Sequence, residues 1–372
     1  MTAARFQVVF HIRSDAAQIE ARARSIAVEQ SVEMPVAAID DEAILRDIVG
    51  RVDGIADLGG GVFEVRIGLA VATVEADAGQ LLNMAFGNTS LHEDVVLRDI
   101  VLPEAMEAAF GGPGHGLEGL RRRLGAHDRA LTCSALKPQG LSADRLAGIA
   151  ERFTRGGIDF IKDDHGIADQ HYSPFAARVA AIAAAVRRAT AETGHGTRYL
   201  PSLAGNLEQM HLQVRTAREE GLDTVMLAPM IAGVATLQAL VRAWPEVAFF
   251  AHPTLGGAAR IAPDLLIGKL FRLFGADAVI FPNFGGRFGY TPEQCRSLAR
   301  HATGANPRLR GAVPVPAGGM TTARVPEILE FYGTDVMLLL GGSLLETRER
   351  LTEATAAFTA AVARHGKGSA HG

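Results

Sequence analysis

Lys162-Asp163-Asp164-His165 places an amine, two carboxylates and an imidazole in one short stretch. The residues just before, Asp159 to Lys162, read as a strand, and side chains alternate along a strand, so Lys162 and Asp164 share a face. A free lysine is cationic and a poor metal ligand, whereas a lysine carbamate is an oxygen donor like a carboxylate. Oxygen donors of this kind suit magnesium, which takes hard ligands in octahedral geometry and keeps some waters. A solvated charged loop would have the same composition. A second signal is the pair Gly318-Gly319 and Gly341-Gly342, each following an apolar run. Backbone N–H groups with no side chain in the way cradle phosphate, and β/α barrels often hold it in this position. Two tight turns would use glycine equally well. Further polar groups close other apolar runs: Lys137 before Pro138, His252, and Arg287 after Asn283-Phe284-Gly285-Gly286.

The elements that must carry these groups repeat along the chain. From about Ala130, strand and helix patterns alternate. The strands are 131–137, 159–162, 199–203, 224–229, 247–252, 278–282, 312–316 and 335–340. The helix after the first strand opens at Ser142, with Asp144 in its first turn, and closes at Gly156-Gly157. The others are 176–193, 207–220, 235–243, 264–274, 292–301 with Thr291 as N-cap, 323–332 and 346–363. Strands that read as continuous apolar runs, each followed by an amphipathic helix, specify a parallel sheet covered by helices. Eight such units in about 230 residues suit a closed (β/α)₈ TIM barrel. Its catalytic groups would come from strand C-termini, where the residues above lie. No Gly-x-Gly-x-x-Gly follows the first strand, which argues against a dinucleotide site.

The first ~115 residues differ. Phe6 to Ile12 and Val62 to Val71 alternate like half-buried antiparallel strands, and Asp15 to Glu29 and Asp77 to Met84 read as helices. We expect an N-terminal α+β, ferredoxin-like domain over 1–115 and a barrel domain over 116–372 ending in a C-terminal helix, linked through Phe110 to Gly116. Composition excludes several classes. The chain of 372 residues is 48% hydrophobic with a formal charge of −4, so it can bury a core and offers no general attraction to nucleic acid or anionic membrane. No apolar stretch reaches the roughly 18–20 residues of a membrane span, the longest candidate being Val179 to Val186. Met1 to Arg13 reads as a strand and lacks a signal peptide's apolar run, so a cytoplasmic protein is expected. Cys133 and Cys295 give neither a disulfide framework nor zinc spacing and read as small buried residues.

Gly156-Gly157-Ile158-Asp159-Phe160-Ile161-Lys162-Asp163-Asp164 resembles the RuBisCO large-subunit signature Gly-Gly-Leu-Asp-Phe-Thr-Lys-Asp-Asp-Glu. Leu136-Lys137-Pro138 with Gly140-Leu141-Ser142 resembles that family's Ile-Lys-Pro-Lys-Leu-Gly-Leu-Ser, and Phe110 to Gly116 its Phe-x-Gly-Pro-x-His-Gly. Val28 to Ser31, Gly87-Asn88, Pro314 to Gly319 and Leu340 to Gly342 match in order as well. The resemblance implies that Lys162 carries a carbamate formed from CO₂ and that Asp164 binds Mg²⁺. It implies that Lys137 is a base or acid at the reacting carbons and that His252 closes the fifth strand. Asn88 and Glu29 would enter the site from the partner in a homodimer. Gly318, Gly319, Gly341 and Gly342 would bind phosphate, and Arg287 falls about where the family's mobile loop carries a lysine.

The departures are informative. The third metal ligand, a glutamate in the family, is His165 here, a softer donor better suited to manganese, iron or zinc. Gln139 replaces the second lysine of Lys-Pro-Lys, Pro253 an arginine, Phe281 a histidine and Ala317 a serine. The chain therefore looks like a RuBisCO-like protein that does not fix CO₂. It would perform metal-dependent enediolate chemistry (enolisation, isomerisation or decarboxylation) on a phosphorylated keto-sugar or sugar-acid derivative. The lost arginine and histidine imply a single phosphate, unless another arginine such as Arg260 replaces them. Two other readings stay open: an aldolase using Lys137 or Lys162 as a Schiff-base amine, and an inactive barrel kept for binding.

Overall fold

The computed structural model describes residues 4–366. The start of the expected Met1 to Arg13 strand and the last six residues of the expected barrel domain lie outside them. The chain divides into two compact units: one runs to Gly112 and includes Leu255–Leu266, the other holds Pro113–Thr254 and the chain from Ile267 onward.

In the first unit, β1 (Arg5–Arg13), β2 (Arg51–Asp57), β3 (Val62–Ala70) and β4 (Val95–Val101) form an antiparallel sheet in the order β2-β3-β1-β4. Helices Ile19–Glu29 and Ala78–Phe86 supply the crossovers, which gives the ferredoxin-like arrangement expected. Asp77 caps the second by accepting from the Gln80 N–H at 2.6 Å. Asp15 instead opens a turn, its carbonyl accepting from Gln18 and Ile19 before the helix starts. Val8, Phe10 and Ile12 on alternate positions of β1 are wholly buried, as the period of two demands. Beyond β4, Leu97 pairs with Ile261, so part of Leu255–Leu266 covers that sheet edge.

In the second unit, β5 (Leu131–Leu136), β6 (Phe160–Asp163), β7 (Arg198–Leu200), β8 (Thr224–Leu227), β9 (Ala248–Ala251), β10 (Ala278–Pro282), β11 (Val313–Ala317) and β12 (Met337–Leu339) are parallel, in the order β7-β6-β5-β12-β11-β10-β9-β8. A backbone bridge between Ser202 and Met226 joins the two ends, closing the barrel. Pro314 and Pro316 have no N–H to give, while the N–H of Val313 and the carbonyl of Ala317 are both used towards the β10 side. The β11–β12 register accordingly holds one pair, Ala317 with Leu339, against five between β10 and β11.

The helices begin where the sequence places caps. Ser142 caps Ala143–Arg155, Asn206 with Gln209 forms a capping box on Leu207–Glu219, and Thr291 with Gln294 does the same for Pro292–Thr303. The last helix starts late, at Leu351, because Arg348 takes a left-handed backbone (φ 49°) that interrupts the expected run. Among the described residues no helix is long and apolar enough to cross a membrane. Cys133 and Cys295 are both free and buried.

Candidate active site

The barrel interior fixes which side chains reach its mouth. Cys133, Phe160, Phe250, Ile280, Val315 and Leu339 all belong to the interior core, and the Phe160 and Phe250 rings meet at 5.5 Å. Counting by twos from Phe160 leads to Lys162 and then Asp164, and from Phe250 to His252. Lys137 follows the last residue of β5. Alternation along the strands thus places Lys137, Lys162, Asp164 and His252, at or just beyond the C-terminal ends of β5, β6 and β9, on the barrel-facing side.

Their contacts are short. Lys137 Nζ donates to Asp164 Oδ1 at 2.6 Å, and His165 Nδ1 lies 3.3 Å from the same oxygen. Burial opposes ionisation of Asp164, yet hydrogen bonds from His165 and Lys137 and the charges of Lys137 and Lys162 outweigh it. Its carboxyl is held well below the usual carboxylate range. Lys162 is 3% exposed, and its ammonium donates to the Asp163 carbonyl at 2.6 Å. Burial pushes its amine down towards the neutral form, only partly offset by Asp164. His165 stacks on His252 with ring centroids 4.5 Å apart and planes 8° from parallel. Burial, then the charges of Lys162 and His165, push the His252 imidazole down to about 2, so it is neutral.

Asp163, between the two mouth-facing residues, turns the other way. Its oxygens accept from Arg178 Nε at 3.1 Å, the Tyr199 hydroxyl at 2.8 Å and the Ser202 N–H at 3.1 Å. Arg178, fully buried, also donates to the carbonyls of Ser173 and Ala168. It thereby ties down the loop that begins with Asp164 and His165. Sequence reasoning gave Arg178 no role. Gln139 packs its amide against Gly166 at the start of the same loop.

The glycine pairs lie at the ends of β11 and β12 and are joined by Ser343 Oγ donating to the Met320 carbonyl at 2.9 Å. A Cβ at Gly318, Gly341 or Gly342 would meet nothing within 4 Å, so their backbone faces open space. Gly319 has a different reason to be glycine: a Cβ there would lie 2.7 Å from Gly286 Cα. Arg287 is exposed, its guanidinium 5.1 Å from the Phe288 ring centroid, and makes no contact with the lysines or Asp164. Phe281 does not face the mouth. It points to the helix layer, 6.3 Å from Tyr332, and the barrel-facing positions of β10 are Ile280 and Pro282. The inference from a lost histidine therefore moves to those residues, which also have no hydrogen bond to give.

In the first unit, Asn88 Nδ2 donates to Glu29 Oε1 at 2.9 Å and Glu33 Oε1 at 3.3 Å. The neighbouring Gln30, 3% exposed, sets this pairing by bonding Thr89 and the carbonyls of Asn83 and Met84. Arg260 is engaged within the same unit by the Ser90 carbonyl.

Among the described residues no group of three or more His, Cys, Asp or Glu side chains converges as a metal site. Asp164 and His165 supply two candidate donors, and Lys162 lies on the same face as Asp164. The set fits a divalent cation once Lys162 bears a carboxylate, a change favoured by the burial that lowers the basicity of its amine.

Comparison with known proteins places this geometry in context. The profile described as the ribulose bisphosphate carboxylase large chain, catalytic domain, matches residues 116–280. The chain is 60% identical over 360 residues, 96% of each protein, to a 5-methylthioribulose-1-phosphate isomerase of Rhodospirillum rubrum. It is 33% identical to a 2,3-diketo-5-methylthiopentyl-1-phosphate enolase of Geobacillus kaustophilus, over 75% of this chain and 70% of that one. The crystal structure of a Rubisco-like protein from Rhodopseudomonas palustris superposes with a TM-score of 0.91 at 50% identity, covering 98% of this chain and 99% of that one.

Proposed function

Since the chain belongs to the RuBisCO large-chain family, among its RuBisCO-like members, we propose that it isomerises a methylthio-pentulose monophosphate through an enediolate. 5-Methylthioribulose 1-phosphate, the substrate in the name of the 60%-identical relative, is the first candidate. The enolase substrate of the more distant relatives is the second, because both reactions begin by removing a proton beside a carbonyl.

The observation that carries the reading is the Lys137–Asp164 contact of 2.6 Å beside the buried Lys162. It gathers an acid–base group and two anion-forming ligands where a substrate carbonyl would lie. A divalent cation held by Asp164, a carbamate on Lys162 and His165 would supply positive charge against the enediolate oxygens. Lys137, released from Asp164, would move the proton at carbon. His252, neutral, would orient an oxygen. The open backbone of Gly318, Gly341 and Gly342 would take the phosphate, with Gly319 holding the turn and Arg287 closing from its loop. Glu29 and Asn88 would reach this site from a second copy of the chain in a homodimer.

The apolar positions Pro253, Ile280 and Pro282 suit a methylthio end and would leave a second phosphate desolvated without a donor. Wash-in of solvent deuterium at carbon tests the proposal. With Mg²⁺ and bicarbonate present, the protein should exchange a proton of 5-methylthioribulose 1-phosphate, and Lys162→Ala should abolish it. Borohydride trapping of a substrate on Lys137 or Lys162 would turn the reading into a Schiff-base one.

A further inference from the structure

His252 has a neighbour that no role described so far explains. Thr254, two residues on, places its hydroxyl oxygen 2.6 Å from His252 Nδ1. Its backbone N–H donates to the same nitrogen at 3.3 Å. A backbone N–H can only donate, so Nδ1 must accept, and the hydroxyl, free to rotate, adds a second donor to it. A neutral imidazole that accepts at one nitrogen carries its proton on the other. Nε2, on the far side of the ring, makes no hydrogen bond with any described residue. The ring itself cannot turn freely, because one face stacks on His165. The sequence step that allows this contact is local: Pro253 restricts the backbone between the two residues, and Leu255 turns it away at φ 61°.

We propose that Thr254 is a positioning residue that fixes the proton of His252 on Nε2, so that His252 meets substrate as a neutral donor there and not as a base. This rests on the enediolate reading above. A donor placed in advance at a developing oxyanion stabilises it without reorganisation, whereas the opposite tautomer would present a lone pair to the same oxygen. The proton itself must then be taken at carbon by another group, which leaves that task to Lys137.

Nitrogen-15 labelling of the histidines tests the assignment directly. Two-bond N–H correlations separate the two tautomers, and the signals that vanish in His252→Asn identify this ring. The wild type and Thr254→Ser, which keeps the hydroxyl, should show the Nε2–H tautomer. Thr254→Val should show a mixture of tautomers and lose roughly ten- to a hundredfold in kcat for solvent exchange, as loss of an orienting partner typically does, with KM little changed. A wild-type ring protonated on Nδ1, or a Thr254→Val protein with tautomer and kcat unaltered, would overturn the proposal. The Nε2–H tautomer in a wild type that exchanges no phosphoketose would uphold the role of Thr254 and overturn the enediolate reading instead.

Discussion

One oxygen of Asp164 is contested. Oδ1 already accepts from Lys137 and lies beside His165 Nδ1, so a cation binding there must displace at least the ammonium. Lys137→Met should accordingly raise divalent-cation affinity while lowering exchange by roughly 10²–10⁴-fold, the usual worth of a positioned acid–base group. Titration calorimetry and deuterium wash-in read the two effects separately, and a fall in affinity would contradict the competition. His165→Glu should move the preference from Mn²⁺ towards Mg²⁺ by replacing imidazole with a hard oxygen. Bound metal indifferent to changes at both Asp164 and His165 would show that the ligands lie elsewhere. The same pairing has a signature in stability. Asp164 titrates below its unfolded value, so its partners stabilise the fold above about pH 4, and that contribution fades as the pH drops towards the folded pKa. Urea midpoints measured across this acid limb should fall less steeply in Asp164→Asn than in the wild type.

The loop that carries Asp164 and His165 depends on Arg178, whose guanidinium reaches Asp163 and two loop carbonyls from within helix Phe175–Thr193. Removing one partner of a fully buried pair leaves the other charge uncompensated. Arg178→Met should therefore cost about 3–5 kcal/mol in urea unfolding, and a change under 1 kcal/mol would mean that the pair is dispensable. The sequence could not reveal this link. Arg178 lies 15 positions from Asp163 and looks like any surface arginine of an Ala-rich helix until the fold closes. What was legible was local: the caps at Ser142 and Thr291, the alternation that puts Lys162 and Asp164 on one face, and the strand ends where polar residues break apolar runs. Register on β10 was not legible, since Ile280 and Phe281 are both apolar and only packing decides which one faces inward. β2 escaped notice because it is largely exposed and carries charges at Arg51, Asp53 and Asp57. β4 has Arg98 and Asp99 at its centre, and its outer edge is completed by residues some 160 positions away, as with Leu97 and Ile261.

At the scale of the whole molecule, two consequences of the proposed reaction can be measured. If Glu29 and Asn88 of one copy complete the site of another, mixing Lys162→Ala with Asn88→Ala chains should restore part of the exchange through hybrid sites. Hybrids that form and remain inactive would rule out shared sites. A substrate with one phosphate should also compete better than one with two, because Pro253, Ile280 and Pro282 donate nothing and Arg260 is engaged by Ser90. Ribulose bisphosphate binding more tightly than comparable monophosphates would sink that argument. The segment Leu255–Leu266 sets a further condition, this one on synthesis. A ribosome delivers β1 to β4 early, but the strip that pairs with Leu97 is made only when residue 266 of 372 has been translated. Until then the β4 edge has no partner within the chain, and an uncovered strand edge is the kind of surface that invites pairing with a neighbouring polypeptide. Arg98 and Asp99 put charge on that strand, and charged side chains on an edge strand disfavour such pairing.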